Sequence, residues 1–158
     1  MSEQEVEHMR EAIRLSIENV DTGKGGPFGA VVVKDGKIIA RGANSVTATN
    51  DPTAHAEVMA IRAACTTLNT FQLAGCEIYT SCEPCPMCLG AIYWARPDKL
   101  YFANTKQDAA AIQFDDQFIY EELEKPLAER TLFTQQLLRE EALAAFQKWE
   151  TSIQKMEY

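Results

Sequence analysis

Two short segments thirty positions apart constrain this chain more than anything else in it: His55-Ala56-Glu57 and Pro84-Cys85-Pro86-Met87-Cys88. One imidazole and two thiolates are three ligands of the kind zinc gathers in a tetrahedron. Three from protein leave one corner for water, which is the arrangement of a catalytic site rather than a structural one. Any fold of the chain must therefore bring both segments to one point. Cys85 and Cys88, three apart, share one helix face, and they occupy a first turn where free backbone N–H groups and the positive dipole end favour thiolates. His55 and Glu57, two apart, point to different sides of a regular helix, unless the metal lies just beyond that helix's N-terminus. The spacing thus predicts two helix N-termini aimed at one metal, with Glu57 unneeded as a ligand and free to move protons.

Blander readings exist for each piece. A lone His-x-Glu carries almost no information, and a lone Cys-x-x-Cys serves equally as a redox pair or as half of a structural zinc knuckle. The serious rival adds Cys82 to His55, Cys85 and Cys88 and closes the site. Against it, Pro84 forces a turn between Cys82 and Cys85, and Glu57 has no task in a closed site. Cys65 and Cys76 read as small buried apolar residues, and His8 as a solvated helix residue.

Along the chain, Ser2-Glu3-Gln4-Glu5 is a capping box opening a first helix, whose apolar stripe is Val6, Met9, Ile13, Ile17 and Val20. The glycine-rich run from Gly23 to Gly29 lacks the Gly-Lys-Ser/Thr ending of a phosphate loop and leads into a strand. It reads as a loop that turns tightly or passes close to a ligand. Two strand-like runs, Ala30 to Lys34 and Lys37 to Ala40, meet at the hairpin signal Asp35-Gly36. Asp51-Pro52 is read as the cap and first position of a second helix, with Val58, Ile61, Cys65 and Leu68 facing inward. Glu77 to Ser81 and Lys99 to Ala103 read as parallel strands flanking a third helix from Cys85 to Ala95, ended by Arg96-Pro97. A turn is expected at Asp115-Asp116 and a break at Pro126. Thr131 to Gln136 is either a strand or the lead into a last helix striped by Ala142, Phe146, Trp149, Ile153 and Met156. That stripe demands burial, on its own domain or on a partner.

At 158 residues the chain has the length of one domain. The first residues show no basic run followed by an apolar one, and no apolar stretch approaches the ~20 residues that cross a bilayer. Five cysteines without an export signal point to reduced thiols in the cytoplasm. A net charge of −8, from 15 basic against 23 acidic residues, repels a polyanion, so a small and weakly charged substrate is expected rather than nucleic acid.

The segments Asn44 to Glu57 and Thr80 to Ala95 resemble the cytidine deaminase superfamily, whose H-x-E…P-C-x-x-C signature belongs to zinc nucleobase deaminases. Within it, Pro27-Phe28-Gly29-Ala30, Phe114-Asp115-Asp116 and Tyr158 are similar to the small bacterial guanine deaminases. The resemblance implies an α/β fold of three layers, α/β/α, around a mixed five-stranded sheet. It implies one domain over residues 1–158 and a homodimer that exchanges the C-terminal segment, about residues 131–158, between subunits. It also implies Zn2+ on His55, Cys85 and Cys88, and Glu57 as proton shuttle. Purine contacts fall on Phe28, Asn44, Trp94, Asp116 and Tyr158, the tyrosine reaching the site of the other subunit. The implied reaction is hydrolysis of guanine to xanthine and ammonia. Guanosine deamination, deamination of adenosine in tRNA, and a zinc scaffold without activity are the alternatives.

Overall fold

A computed structural model describes residues 2–158, which divide into two compact units meeting at Asp116 and Gln117. In the first, Ser2 caps helix α1 (Glu3–Asp21) through the expected capping box, its hydroxyl accepting from the Glu5 N–H at 3.1 Å. Strands β1 (Gly29–Lys34) and β2 (Lys37–Ala43) form the expected hairpin, with Asp35 and Gly36 both at positive φ. After a short helix α2 (Val46–Thr49) come α3 (Ala56–Leu68), β3 (Cys76–Cys82), α4 (Pro86–Ala95), β4 (Lys99–Asn104) and α5 (Lys106–Ala111). The sheet runs β2-β1-β3-β4, antiparallel except for the β3/β4 pair, which is parallel as the short crossover helix requires.

The pleat sends alternate side chains to opposite faces, so β1 serves two cores. Val31 and Val33 join Tyr79 and Ala12 of α1 on one side. Ala30 and Val32 join Ile78, Ala56, Ala60 and Ala64 of α3, and Ile92 of α4, on the other. The result is the expected three-layer α/β/α arrangement with a mixed sheet.

Several sequence expectations are corrected. The sheet has four strands rather than five among the described residues. Of the two readings of Thr131 to Gln136, the strand does not form and the segment leads into the last helix with Leu132 and Phe133 exposed, because apolar character gives strand propensity but not a paired edge. Helix α1 buries His8, Ala12, Ser16 and Asn19, while Ile13, Ile17 and Val20 stay exposed. The helix sits so close to β1 that a Cβ on Gly29 would lie 2.4 Å from the Ala12 carbonyl, leaving room for small residues only. His8 is correspondingly buried, its ring edge-on to Tyr79 with centroids 5.2 Å apart. Asp51-Pro52 does not start a helix: the Asp51 carboxylate accepts from the Thr53 N–H and hydroxyl at 2.8 and 2.6 Å, which makes a turn, and α3 begins at Ala56. The turn near Asp115 falls instead at Ile112 and Gln113.

The second unit holds α6 (Gln117–Glu124), a 3-10 turn (Leu127–Glu129) after Pro126, and α7 (Arg139–Thr151). Glu122 ties its loop together by accepting from the Thr131 N–H at 2.7 Å. Helix α7 stops before Ile153 and Met156, and its Phe146 and Trp149 are exposed. No helix among the described residues is long and apolar enough to cross a membrane.

Candidate active site

The site forms where the N-termini of α3 and α4 meet at the C-terminal end of β3. His55 is the N-cap of α3 and Cys85 the N-cap of α4, both with extended backbone, and Pro86 fixes the first position of α4. His55 Nδ1 lies 3.6 Å from Cys85 Sγ and 3.5 Å from Cys88 Sγ. A tetrahedral zinc with bonds of ~2.0–2.1 Å to nitrogen and ~2.3 Å to sulfur sets those atoms about 3.5 Å apart, so the donors are spaced for the ion. The Cys85 thiol is held well below its ordinary range, first by the hydrogen bond from Cys88 and then by the His55 imidazole. Cys88, the donor to that sulfur and buried besides, is pushed up. His55 is raised, mainly by its hydrogen bond with Cys85. A thiol depressed by a second thiol and an imidazole suits a metal ligand set rather than an apolar core.

Cys82 stands apart from this group: its thiol faces the Thr105 carbonyl at 3.6 Å, and among the described residues only His55, Cys85 and Cys88 form a metal-binding constellation. The closed four-residue rival is therefore not assembled. Glu57, in the first turn of α3, is 6% exposed, and burial raises its carboxyl above the usual range. Its Oε1 accepts from the hydroxyl of buried Thr80 at 3.3 Å. Sequence reading missed Thr80, although the pleat of β3 puts it on the same face as Ile78, toward α3.

A cavity of about 310 Å³ opens on this group. Phe28, Asn44 and Asp116, all expected from the sequence, line it together with His55, Glu57 and Cys85. Phe114 lines it too and packs edge-on to Phe28, centroids 5.0 Å apart; the Phe114-Asp115-Asp116 segment was its only signal. Burial raises the Asp116 carboxyl. Trp94 is not among the lining residues. It stands in the last turn of α4, 65% exposed, nine positions beyond Cys85, or about 13 Å along a helix. Tyr158 ends the second unit and is exposed.

A family model described as the cytidine and deoxycytidylate deaminase zinc-binding region matches residues 2–104. The guanine deaminase of Bacillus subtilis (strain 168) is 57% identical over 150 residues, covering 95% of this chain and 96% of its own. The X-ray structure of guanine deaminase from Bacillus subtilis superposes with a TM-score of 0.95 at 54% identity, over 100% of this chain and 99% of that one. The tRNA-specific adenosine deaminase of Aquifex aeolicus is 51% identical over 77 residues, 49% of this chain and 51% of its own.

Proposed function

This chain belongs to the cytidine and deoxycytidylate deaminase family, and on that premise we propose that it hydrolyses guanine to xanthine and ammonia with zinc as cofactor. The observation that carries the reading is the His55/Cys85/Cys88 group beside buried Glu57, opening on a cavity lined by Phe28, Asn44 and Asp116. The choice of base rests on the Pro27 to Ala30 segment and on residues beyond the matched family region, since Phe114 and Asp116 follow residue 104. The likeness to the Bacillus subtilis enzyme extends across them, whereas the likeness to the tRNA deaminase covers half the chain. The net charge of −8 also disfavours a polyanionic substrate.

His55, Cys85 and Cys88 would hold the ion. Zinc, when bound, supplies a Lewis acid that lowers the pKa of water toward ~7 and so provides a nucleophile at neutral pH. Glu57 takes the proton that the attacking water gives up as its oxygen bonds to C2 of the base. It returns that proton to the ring nitrogen beside C2, then takes the proton of the new C2 hydroxyl and gives it to the exocyclic amine, so that C2=O forms and ammonia, not an amide anion, departs. Its burial suits that exchange, because desolvation raises the carboxyl and so favours its holding a proton between transfers. Phe28 packs on the ring. The Asp116 carboxylate accepts from its N–H edge, and a base offering acceptors there would leave desolvated groups unpaired. Ammonia release over a panel of guanine, guanosine, adenine, cytosine and cytidine tests the assignment: turnover confined to guanine is expected, and turnover of cytidine alone overturns it.

The same proposal includes a cytoplasmic homodimer in which residues 131–158 are exchanged and Trp94 and the partner's tyrosine at position 158 complete the site. Exposed Phe133, Phe146, Trp149 and Ile153 support it, because such a series calls for cover. Five free cysteines suit a reducing compartment. Mixing unfolded Glu57→Gln and Tyr158→Ala chains and refolding them together should restore activity that neither has alone. No recovery would count against the exchange.

A further inference from the structure

Asn19, near the end of α1, is 5% exposed and does not line the cavity. Its amide is committed to backbone: Nδ2 donates to the Gly26 carbonyl at 2.8 Å and to the Asn44 carbonyl at 2.9 Å. The side-chain oxygen of Asn44 in turn accepts from the N–H groups of Gly26 and Val46, each at 3.3 Å. Two N–H donors meeting at one atom fix that atom as the amide oxygen. The NH2 end of Asn44 is then the end left for the cavity. The Asn44 N–H donates to the Phe28 carbonyl at 3.1 Å, and the Phe28 N–H to the Gly26 carbonyl at 2.8 Å. Both ring-facing side chains therefore hang from one backbone knot with Asn19 at its centre. The knot is tight: a Cβ on Gly25 would lie 2.2 Å from the Asn44 carbonyl oxygen and 3.0 Å from Asn19 Nδ2.

We propose that Asn19 is a positioning residue for base recognition, holding Asn44 so that its amide presents donors to the acceptor edge of the ring. This rests on the reading of the cavity as a purine site. Asn44 as donor and Asp116 as acceptor then form a complementary pair, matched to a base that carries both kinds of group on its rim. Asn44 follows β2 and leans on the glycine-rich loop at Gly26, a support free to drift by itself. The contact from α1 fastens it to the helical layer.

Asn19→Leu keeps the size and removes both donors. For the zinc-loaded enzyme, KM for guanine should rise about 10-fold or more while kcat stays within about twofold, because binding shared by ground and transition states is lost. The dissociation constant of xanthine, measured by calorimetry, should rise with KM. A role confined to folding gives fewer zinc-loaded molecules with KM unchanged, and that result overturns the proposal. Adding Asn19→Leu to Asn44→Ala should leave KM where Asn44→Ala put it; independent, additive effects also overturn it. Should Asn19→Leu fail to accumulate as folded protein, Gly25→Ala strains the same knot from the loop side. The same KM rise is expected there, and an unchanged KM refutes the positioning role. A wild-type enzyme inert on guanine but active on another base defeats the guanine reading alone, and the KM comparison is then made with that base.

Discussion

Replacing Gly42 by alanine should damage the metal site from the far side of a helix. Gly42 lies on β2 beneath the first turn of α3, where an added Cβ would stand 2.2 Å from the Ala56 carbonyl oxygen and 2.5 Å from the Ala60 nitrogen. Both neighbours are backbone, so no side chain can swing aside. Ordinary contact is about 3.5 Å, so α3 must withdraw by roughly 1 Å. Overpacking of this kind costs about 1–3 kcal/mol, a fall of roughly 3–10 °C in melting temperature for a chain of this size. The displaced turn is the one that His55 caps, and ligand distances tolerate only about 0.2 Å. Zinc affinity, measured by competition with a chromophoric chelator, should therefore drop about 10–100-fold, the scale seen when ligand support is lost. Differential scanning calorimetry on the zinc-free protein separates the packing cost from the metal term. A Gly42→Ala protein with the wild-type melting temperature and zinc affinity would refute the claim that this glycine seats the ligand-bearing helix.

Other perturbations probe the remaining parts. Glu57→Gln should keep zinc but lose at least about 10²–10⁴-fold in kcat, since one group performs every proton transfer; full activity refutes the shuttle. Thr80→Val removes the hydroxyl that bonds Glu57 Oε1, and should cut kcat about 10-fold with KM unchanged, while Thr80→Ser restores most of it; equal losses in both variants refute a positioning role. Hydrogen bonds from Arg14 and then Arg41 hold the Glu11 carboxyl down to about 2, and the Arg41 pair ties α1 to β2 at 2.6 Å. A carboxyl lowered on folding contributes above its unfolded value, near 4.5, and loses that contribution as pH falls toward 2. With both arginines about half exposed, roughly 1 kcal/mol is at stake. Glu11→Gln should flatten the loss of stability between pH 5 and 2, read by chemical denaturation; an unchanged acid limb removes the pair from the account.

Much of the candidate site was legible because its chemistry sits in short local patterns. Proline before and after Cys85 sets a helix start, and the three-residue step to Cys88 places both sulfurs on one face whatever the rest of the chain does. The Ser2 cap, the Asp35-Gly36 hairpin and the parallel β3/β4 pair were legible for the same reason, each resting on interactions within a few residues or on one short crossover. The start of α3 was misplaced because Asp51 has two local uses, as a helix cap or as a turn, and only the seating of Ala56 over Gly42 selects the second.

Which residues face inward was decided elsewhere. Apolar periodicity picks the greasiest stripe of a helix, but close approach to a sheet selects the smallest. So α1 turns Ala12, Ser16 and Asn19 inward and leaves Ile13 and Ile17 outside. Thr80 beside Glu57 and Asn19 beneath Asn44 follow from that packing, joining residues 23 and 25 positions apart. The sequence alone determined which atoms can hold zinc and move a proton, since ligand type and helix-cap geometry are local properties. Only the tertiary structure decided what holds those atoms and the Asn44 amide in place, because contacts between distant segments depend on backbone separations that no local pattern encodes.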